Sequence, residues 1–276
     1  MTKLHGLGND FLVVVDETAA GPRPDAAFAV EVCARHTGVG ADGLILATVD
    51  PSDSTAVTMT LWNADGSMAE ISGNGIRCLG HAIARHRSVD DLELTVTTGA
   101  GLRRLAVTGG TLPEASVRTE MGSVVVAEVD VSGEVRAVVA AAGRVATASV
   151  GNPHVVVEVP DPSLIDLATA GPAIEARLGP INVEFIAVDG GARRIDLTVW
   201  ERGVGITQAC GSGAVAAATV ASGWNGSTGP VTVAMPGGIV TVEPADPAIL
   251  TGPSVVIADV DVAWPRESAP GSVDHG

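Results

Sequence analysis

Positive charge is scarce in this chain: Lys and Arg together number 16 against 32 Asp and Glu, for a formal net charge of −16. No Lys/Arg cluster is available to follow a phosphate backbone, so nucleic acid is not an expected partner. The acidity itself serves solubility. Cysteine is also rare. Cys33, Cys78 and Cys210 are too few for a disulfide framework, and their spacing fits no zinc site. Apolar runs stay well short of the roughly 18 residues of a membrane span. The Met1–Gly6 opening lacks the apolar stretch of a signal peptide, so a soluble, cytoplasmic protein is expected. A nucleophile triad, a P-loop and a dinucleotide fingerprint are all missing. Charged residues make up only 17%, which excludes a disordered or coiled-coil chain.

What is present is glycine, proline and β-branched sequence. The 276 residues contain 34 Gly and 16 Pro and are 46% hydrophobic. That is enough for a sizeable core in one large domain or two ordinary ones. Many short strands joined by tight turns are expected. Segments 92–97 and 231–235 alternate apolar and polar residues, whereas 11–15 and 154–159 read as deeper strands. Helices are expected over 26–36, 75–85 and 214–221. The last is almost wholly Ala and Val; lacking a polar face, it predicts a helix enclosed on all sides.

Two turn–helix units organise the chain. Ser72-Gly73-Asn74 precedes one helix and Cys210-Gly211-Ser212-Gly213 the other, half the chain apart. The expectation is α+β, with two similar halves whose buried helices point their N-termini at the junction. The first half is expected over 1–113, completed by a strand near 254–264, with the break in 109–113. The second spans 114–253, and the Ser/Pro/Gly-rich stretch 266–276 reads as a disordered tail. A helix N-terminus offers unpaired amides and a positive dipole end, and glycines let a carboxylate approach. A cysteine there is expected to have its thiol pKa lowered. Two such ends facing each other would grip one α-carboxylate and place an acid/base group on either side of the α-carbon.

Polar motifs surround these turns: His5 to Phe11, Trp62 to Ser67, Gly151 to His154, Ile181 to Phe185 and Trp200 to Gly205. Each asparagine alone reads as a turn residue and Glu201-Arg202 alone as a surface pair. Together they could recognise an ammonium and a carboxylate.

Gly6-Leu-Gly-Asn-Asp-Phe11, Asn63-Ala-Asp-Gly-Ser67, Ser72-Gly-Asn-Gly75, Gly151-Asn-Pro-His154, Asn182-Val-Glu-Phe185, Glu201-Arg-Gly-Val-Gly205 and Ala209-Cys-Gly-Ser-Gly213 resemble the diaminopimelate epimerases, in order and spacing. The resemblance implies two pseudo-symmetric domains, each a β-barrel-like shell around a central helix, with the site in the cleft between them. It implies two-base epimerisation of L,L-diaminopimelate to the meso isomer without metal or other cofactor, in lysine and peptidoglycan-precursor synthesis, by a homodimer. It assigns Cys210 and Ser72 to the catalytic positions. The backbone of Gly73, Asn74, Gly211 and Ser212 would take the α-carboxylate and Glu201 the α-ammonium. Asn9, Asn63, Asn152, Asn182 and Arg202 would line the site and read the distal end.

Two positions depart from the family pattern. Ser72 stands where cysteine is usual, and Gly43 where glutamine is common. A hydroxyl is a far weaker acid than a thiol. Cys78 is no substitute: in a regular helix it lies about 9 Å along and about 120° around from Ser72. Cys78 and Cys33 read as buried structural residues. Three readings of Ser72 stay open: an introduced replacement, a natural variant in which the hydroxyl or a water relays the proton, or one-base chemistry. A racemase or dehydratase of another amino acid, and an inactive amino-acid-binding protein, are the alternative functions.

Overall fold

The protein, described from a computed structural model, is resolved at residues 1–21, 23–127, 130–189, 191 and 193–262. The expected tail at 266–276 lies outside the described residues. The first half contains β1 (Thr2–Gly6), β2 (Asn9–Asp16), α1 (Ala26–Cys33), β3 (Gly43–Asp50), β4 (Asp53–Asn63) and β5 (Met68–Ala69). It continues with α2 (Gly73–Arg87), β6 (Leu92–Thr98), β7 (Gly101–Thr108) and β8 (Glu114–Gly122). The second half contains β9 (Val125–Ala127), α3 (Ser132–Arg136), β10 (Val145–Ser149), β11 (Pro153–Glu158), α4 (Leu167–Leu178) and β12 (Asn182–Val188). After these come β13 (Arg194–Glu201), β14 (Gly205–Thr207), α5 (Gly211–Asn225), β15 (Val231–Met235), β16 (Gly238–Glu243) and β17 (Ala248–Asp259).

One pairing scheme is used twice. β2 runs parallel to β3, β3 antiparallel to β4, β4 parallel to β6, and β6 antiparallel to β7. The same sequence of senses recurs from β11 through β12, β13 and β15 to β16. Each shell wraps a helix of 15 residues. Ile76, Leu79, Ala82 and Ile83 of α2 pack with Leu4, Ile45, Leu61 and Val117. Ala214 to Ala218, Val220 and Ala221 of α5 pack with Val156, Leu197, Val233 and Val242. The enclosure expected for the apolar helix is what the structure shows. Small side chains around the whole of α5 let strands approach from every side.

Two strands pass from one shell to the other. Residues Ile249 to Thr251 of β17 pair with β16, but Val255 to Asp259 pair with β1. Conversely, Ser116 to Thr119 of β8 pair with β7, and β9 just beyond pairs with β10. β8 and β17 also pair with each other, from Val255↔Glu114 to Ala248↔Gly122, so the shells share a seam.

Helix bounds differ from the sequence expectation at their ends. α1 stops at Cys33 rather than reaching 36, because Gly38 and Gly40 turn back to bond the carbonyls of Ala34 and Val32. α2 and α5 begin at their glycines and run longer than expected. α4 was not foreseen, since Gly171 and Pro172 sit inside it. The reason for Gly171 is tertiary: a Cβ there would lie 2.4 Å from the Trp200 ring.

Candidate active site

The two long helices open with the same local geometry. Ser72 caps α2 with φ −131° and ψ 124°, its Oγ accepting from the Gly75 amide at 3.0 Å. Cys210 caps α5 with φ −121° and ψ 116°, its Sγ accepting from the Gly213 amide at 3.4 Å. Ser72 and Cys210 are thus conformational twins, extended residues whose short polar side chain folds onto the first turn. The amides of Gly73, Asn74, Gly211 and Ser212 precede the intrahelical ladder and remain over.

These helix ends abut. A Cβ built on Gly73 would be 3.2 Å from Gly211 Cα, and one on Gly211 would be 3.1 Å from Gly73 Cα. A side chain at either place would press on the backbone of the facing helix. Asn74 crosses the junction: its Nδ2 donates to Ala209 O at 3.1 Å and to Asn9 Oδ1 at 3.2 Å. Asn9 in turn donates to Asp42 at 2.8 Å. On the other side Ser212 Oγ lies 3.5 Å from Cys210 Sγ and accepts from Asn152 at 3.4 Å. The structure therefore sets two polar strings side by side at the junction, one of Asp42, Asn9, Asn74 and the Ala209 carbonyl and the other of Cys210, Ser212 and Asn152, joined through the Ala209-Cys210 peptide.

Glu201, at the end of β13, accepts from Thr207, and its charge bears on the Cys210 thiol. Burial raises its carboxyl pKa, and the Glu184 charge adds to this. The Cys210 thiol was expected to be acidified by the helix end, and here the structure corrects the sequence. Cys210 is 5% exposed. Burial, then the charges of Glu201 and Glu184, push its pKa well above the ordinary thiol value; Ser212 and the Gly213 amide offset only part of that. The neutral thiol is the resting form.

Asn182 and Arg202 form a second grouping, the Arg202 amide donating to Asn182 Oδ1 at 3.0 Å. Asn182 Nδ2 donates to Pro153 O, and the Arg202 side chain is exposed. Asn63 is exposed on the β4–β5 turn, bonded to Ser67, and the structure shows no direct bond from it to either string. Sequence reasoning missed a buried pair: His154 Nδ1 lies 2.7 Å from Glu184 Oε1, both side chains fully enclosed. The His154 Nε2 meets Asn152 Oδ1 at 2.9 Å. Glu184 Oε2 is buried with no partner among the described residues. Both residues stood in the motifs quoted above; only the parallel register of β11 and β12, His154 opposite Asn182, brings them together. Among the described residues, no group of three or more His, Cys, Asp or Glu could hold a metal ion, and no helix is long and apolar enough to cross a membrane.

The architecture of paired helix-centred shells is shared with epimerase- and racemase-type structures. A predicted epimerase from Pseudomonas aeruginosa superposes with a TM-score of 0.70 at 15% identity, covering 96% of this chain and 99% of that one. A probable proline racemase from Agrobacterium radiobacter gives 0.65 at 18% identity, covering 96% and 92%. Sequence takes the assignment further. The family model described as diaminopimelate epimerase matches residues 1–127 and 146–257. Curated diaminopimelate epimerases from Moorella thermoacetica and Desulfitobacterium hafniense are 38% and 39% identical, over 92% and 93% of this chain and 96% and 95% of theirs. The chain belongs to the diaminopimelate epimerase family.

Proposed function

We propose that this protein exchanges and inverts the α-proton of diaminopimelate without a cofactor, using Cys210 as its strong proton-transfer group. The observation that carries this is the back-to-back contact of two helix N-termini at Gly73 and Gly211, with Cys210 capping one of them. The four leftover amides and two positive dipole ends converge on a place fit for one carboxylate. With the α-carboxylate held there, the α-carbon faces Cys210 on one side and Ser72 on the other.

The elevated thiol pKa gives Glu201 a part in the chemistry. Its buried carboxylate, whose charge bears on the Cys210 thiol, can take that proton as the substrate's ammonium enters beside it. The thiolate then removes the α-proton. Return of a proton to the opposite face falls to the Ser72 hydroxyl or to a water it orders. A hydroxyl is the poorer donor and far the poorer base, so inversion should lag behind exchange at the Cys210 face. Asn152, Asn182 and Arg202 would read the distal head group. Asn63, on the exposed β4–β5 turn, would join them as the substrate enters.

Proton NMR of L,L-diaminopimelate with the protein in D2O tests this. The expected result is deuterium entering the α-position faster than meso isomer accumulates. Ser72→Cys should bring the two rates together and raise epimerisation by about 100-fold or more, the range of a well-matched acid/base group. Cys210→Ala should abolish both. Folded protein that binds the substrate without exchange would instead support the binding-protein reading.

A further inference from the structure

Arg77 is the largest fully buried side chain of the described protein, and it sits one turn inside the helix end that forms the junction. Its guanidinium donates through three nitrogens to three neutral acceptors. Nε reaches Pro253 O at 3.2 Å, Nη1 reaches Gly73 O at 2.9 Å, and Nη2 reaches Asn74 Oδ1 at 2.8 Å. No carboxylate among the described residues pairs with it, and the neighbouring Cys78 thiol, its pKa pushed up to about 11 by burial, is neutral. The slot is kept open by glycines. A Cβ on Gly6 would lie 3.0 Å from Nη2 and one on Gly252 3.3 Å from Nε.

A buried charge is ordinarily paired or absent, because desolvation is costly. Burial lowers the Arg77 pKa to about 10, so the group still carries its charge at neutral pH. A permanent cation without an anion therefore lies directly behind two helix N-termini that are themselves positive. Its position is also specific. A guanidinium only donates, so it fixes the Asn74 carboxamide with oxygen inward. Asn74 Nδ2 must then face Asn9 and the Ala209 carbonyl, next to Cys210. Arg77 thus acts on the junction by orienting Asn74 and by supplying charge, without reaching the ligand.

We propose that Arg77 is a positioning residue of the carboxylate site, a buried counter-charge for the anion that forms or binds between the helix ends, resting on the reading of that site given above. The charged groups bearing on Cys210 from the other elements are Glu201 on β13 and Glu184 on β12, both acids, with His154 on β11 paired to Glu184. Arg77 on α2 is the buried cation one turn inside the facing helix end.

Two arms of one experiment test this with Arg77→Lys, which keeps the charge but loses the fork, and Arg77→Met, which loses both. The first is calorimetric binding of diaminopimelate, with the melting temperature of each variant recorded. The Lys variant should bind within a few-fold of the unaltered protein, and the Met variant about tenfold more weakly or worse. The second needs no ligand. It follows the ultraviolet absorbance of the Cys210 thiolate against pH, as the difference from a Cys210→Ala background. That titration should move to higher pH in the Met variant and not in the Lys variant. Equal losses in both variants would mean that shape alone matters, and unchanged binding and titration in the Met variant would mean that the charge does not act; either overturns the proposal. If the unaltered protein fails to bind diaminopimelate, the functional reading fails, and the thiolate arm alone decides the role of Arg77.

Discussion

At Glu201 a single side chain sets stability against chemistry. Burial raises its carboxyl pKa, so the folded protein holds that proton more tightly than the unfolded chain. The resulting contribution is fully present below the unfolded value of about 4.5 and is lost as pH rises through the folded pKa. Glu201→Gln, which stays neutral, should therefore raise the melting temperature at about pH 8 and change it little at about pH 4, while slowing α-proton exchange. Calorimetric scans at the two pH values check the sign. Gly43 shows a different kind of residue-level constraint. A Cβ there would lie 2.7 Å from the Trp62 carbonyl and 3.2 Å from the Phe11 ring, so the close approach of β3 to β4 and β2 at this point requires glycine.

At the scale of elements, the helices show what a sequence can and cannot disclose. The two turn–helix units at Ser72 and Cys210 were legible from their glycine turns and apolar runs, whereas the start of each helix at its first glycine, with Ser72 and Cys210 as the caps, shows only in the structure. The enclosed course of α5 was legible from its uniform Ala and Val. α4 was not, since its Gly171-Pro172 step reads locally as a breaker and only the Trp200 ring, far along the chain, explains the glycine. Gly171→Ala illustrates the consequence. Despite better helix propensity it should lower stability by about 1–3 kcal/mol, because the methyl group must displace the indole. Thermal or urea unfolding would show a gain instead if propensity prevailed. The thiol pKa failed from sequence for a similar reason: the helix end is local, whereas the burial that outweighs it, and then the two carboxylates on β12 and β13, come from the tertiary fold.

For the whole molecule, the distance between the shells' helix ends is set by two hydrogen atoms, those of Gly73 and Gly211. Gly211→Ala would press a methyl group against the facing Gly73 and against Leu250 of the second shell's core, shifting Cys210 slightly from the facing helix. Turnover should fall by about tenfold with a small change in melting temperature, because the shift is a fraction of the roughly 1 Å misplacement that costs about 100-fold. Steady-state kinetics beside a melting curve separates the two effects; equal losses in both would mean the contact serves folding alone.

The exchanged strands have a consequence for how the protein is made. β1 is synthesised long before one of its two neighbours, the far end of β17, whose Val255 to Asp259 follow about 250 residues later. The first shell must wait with an open edge while the second is being translated. The nascent first shell needs protection from sticking to other chains until β17 arrives to seal it.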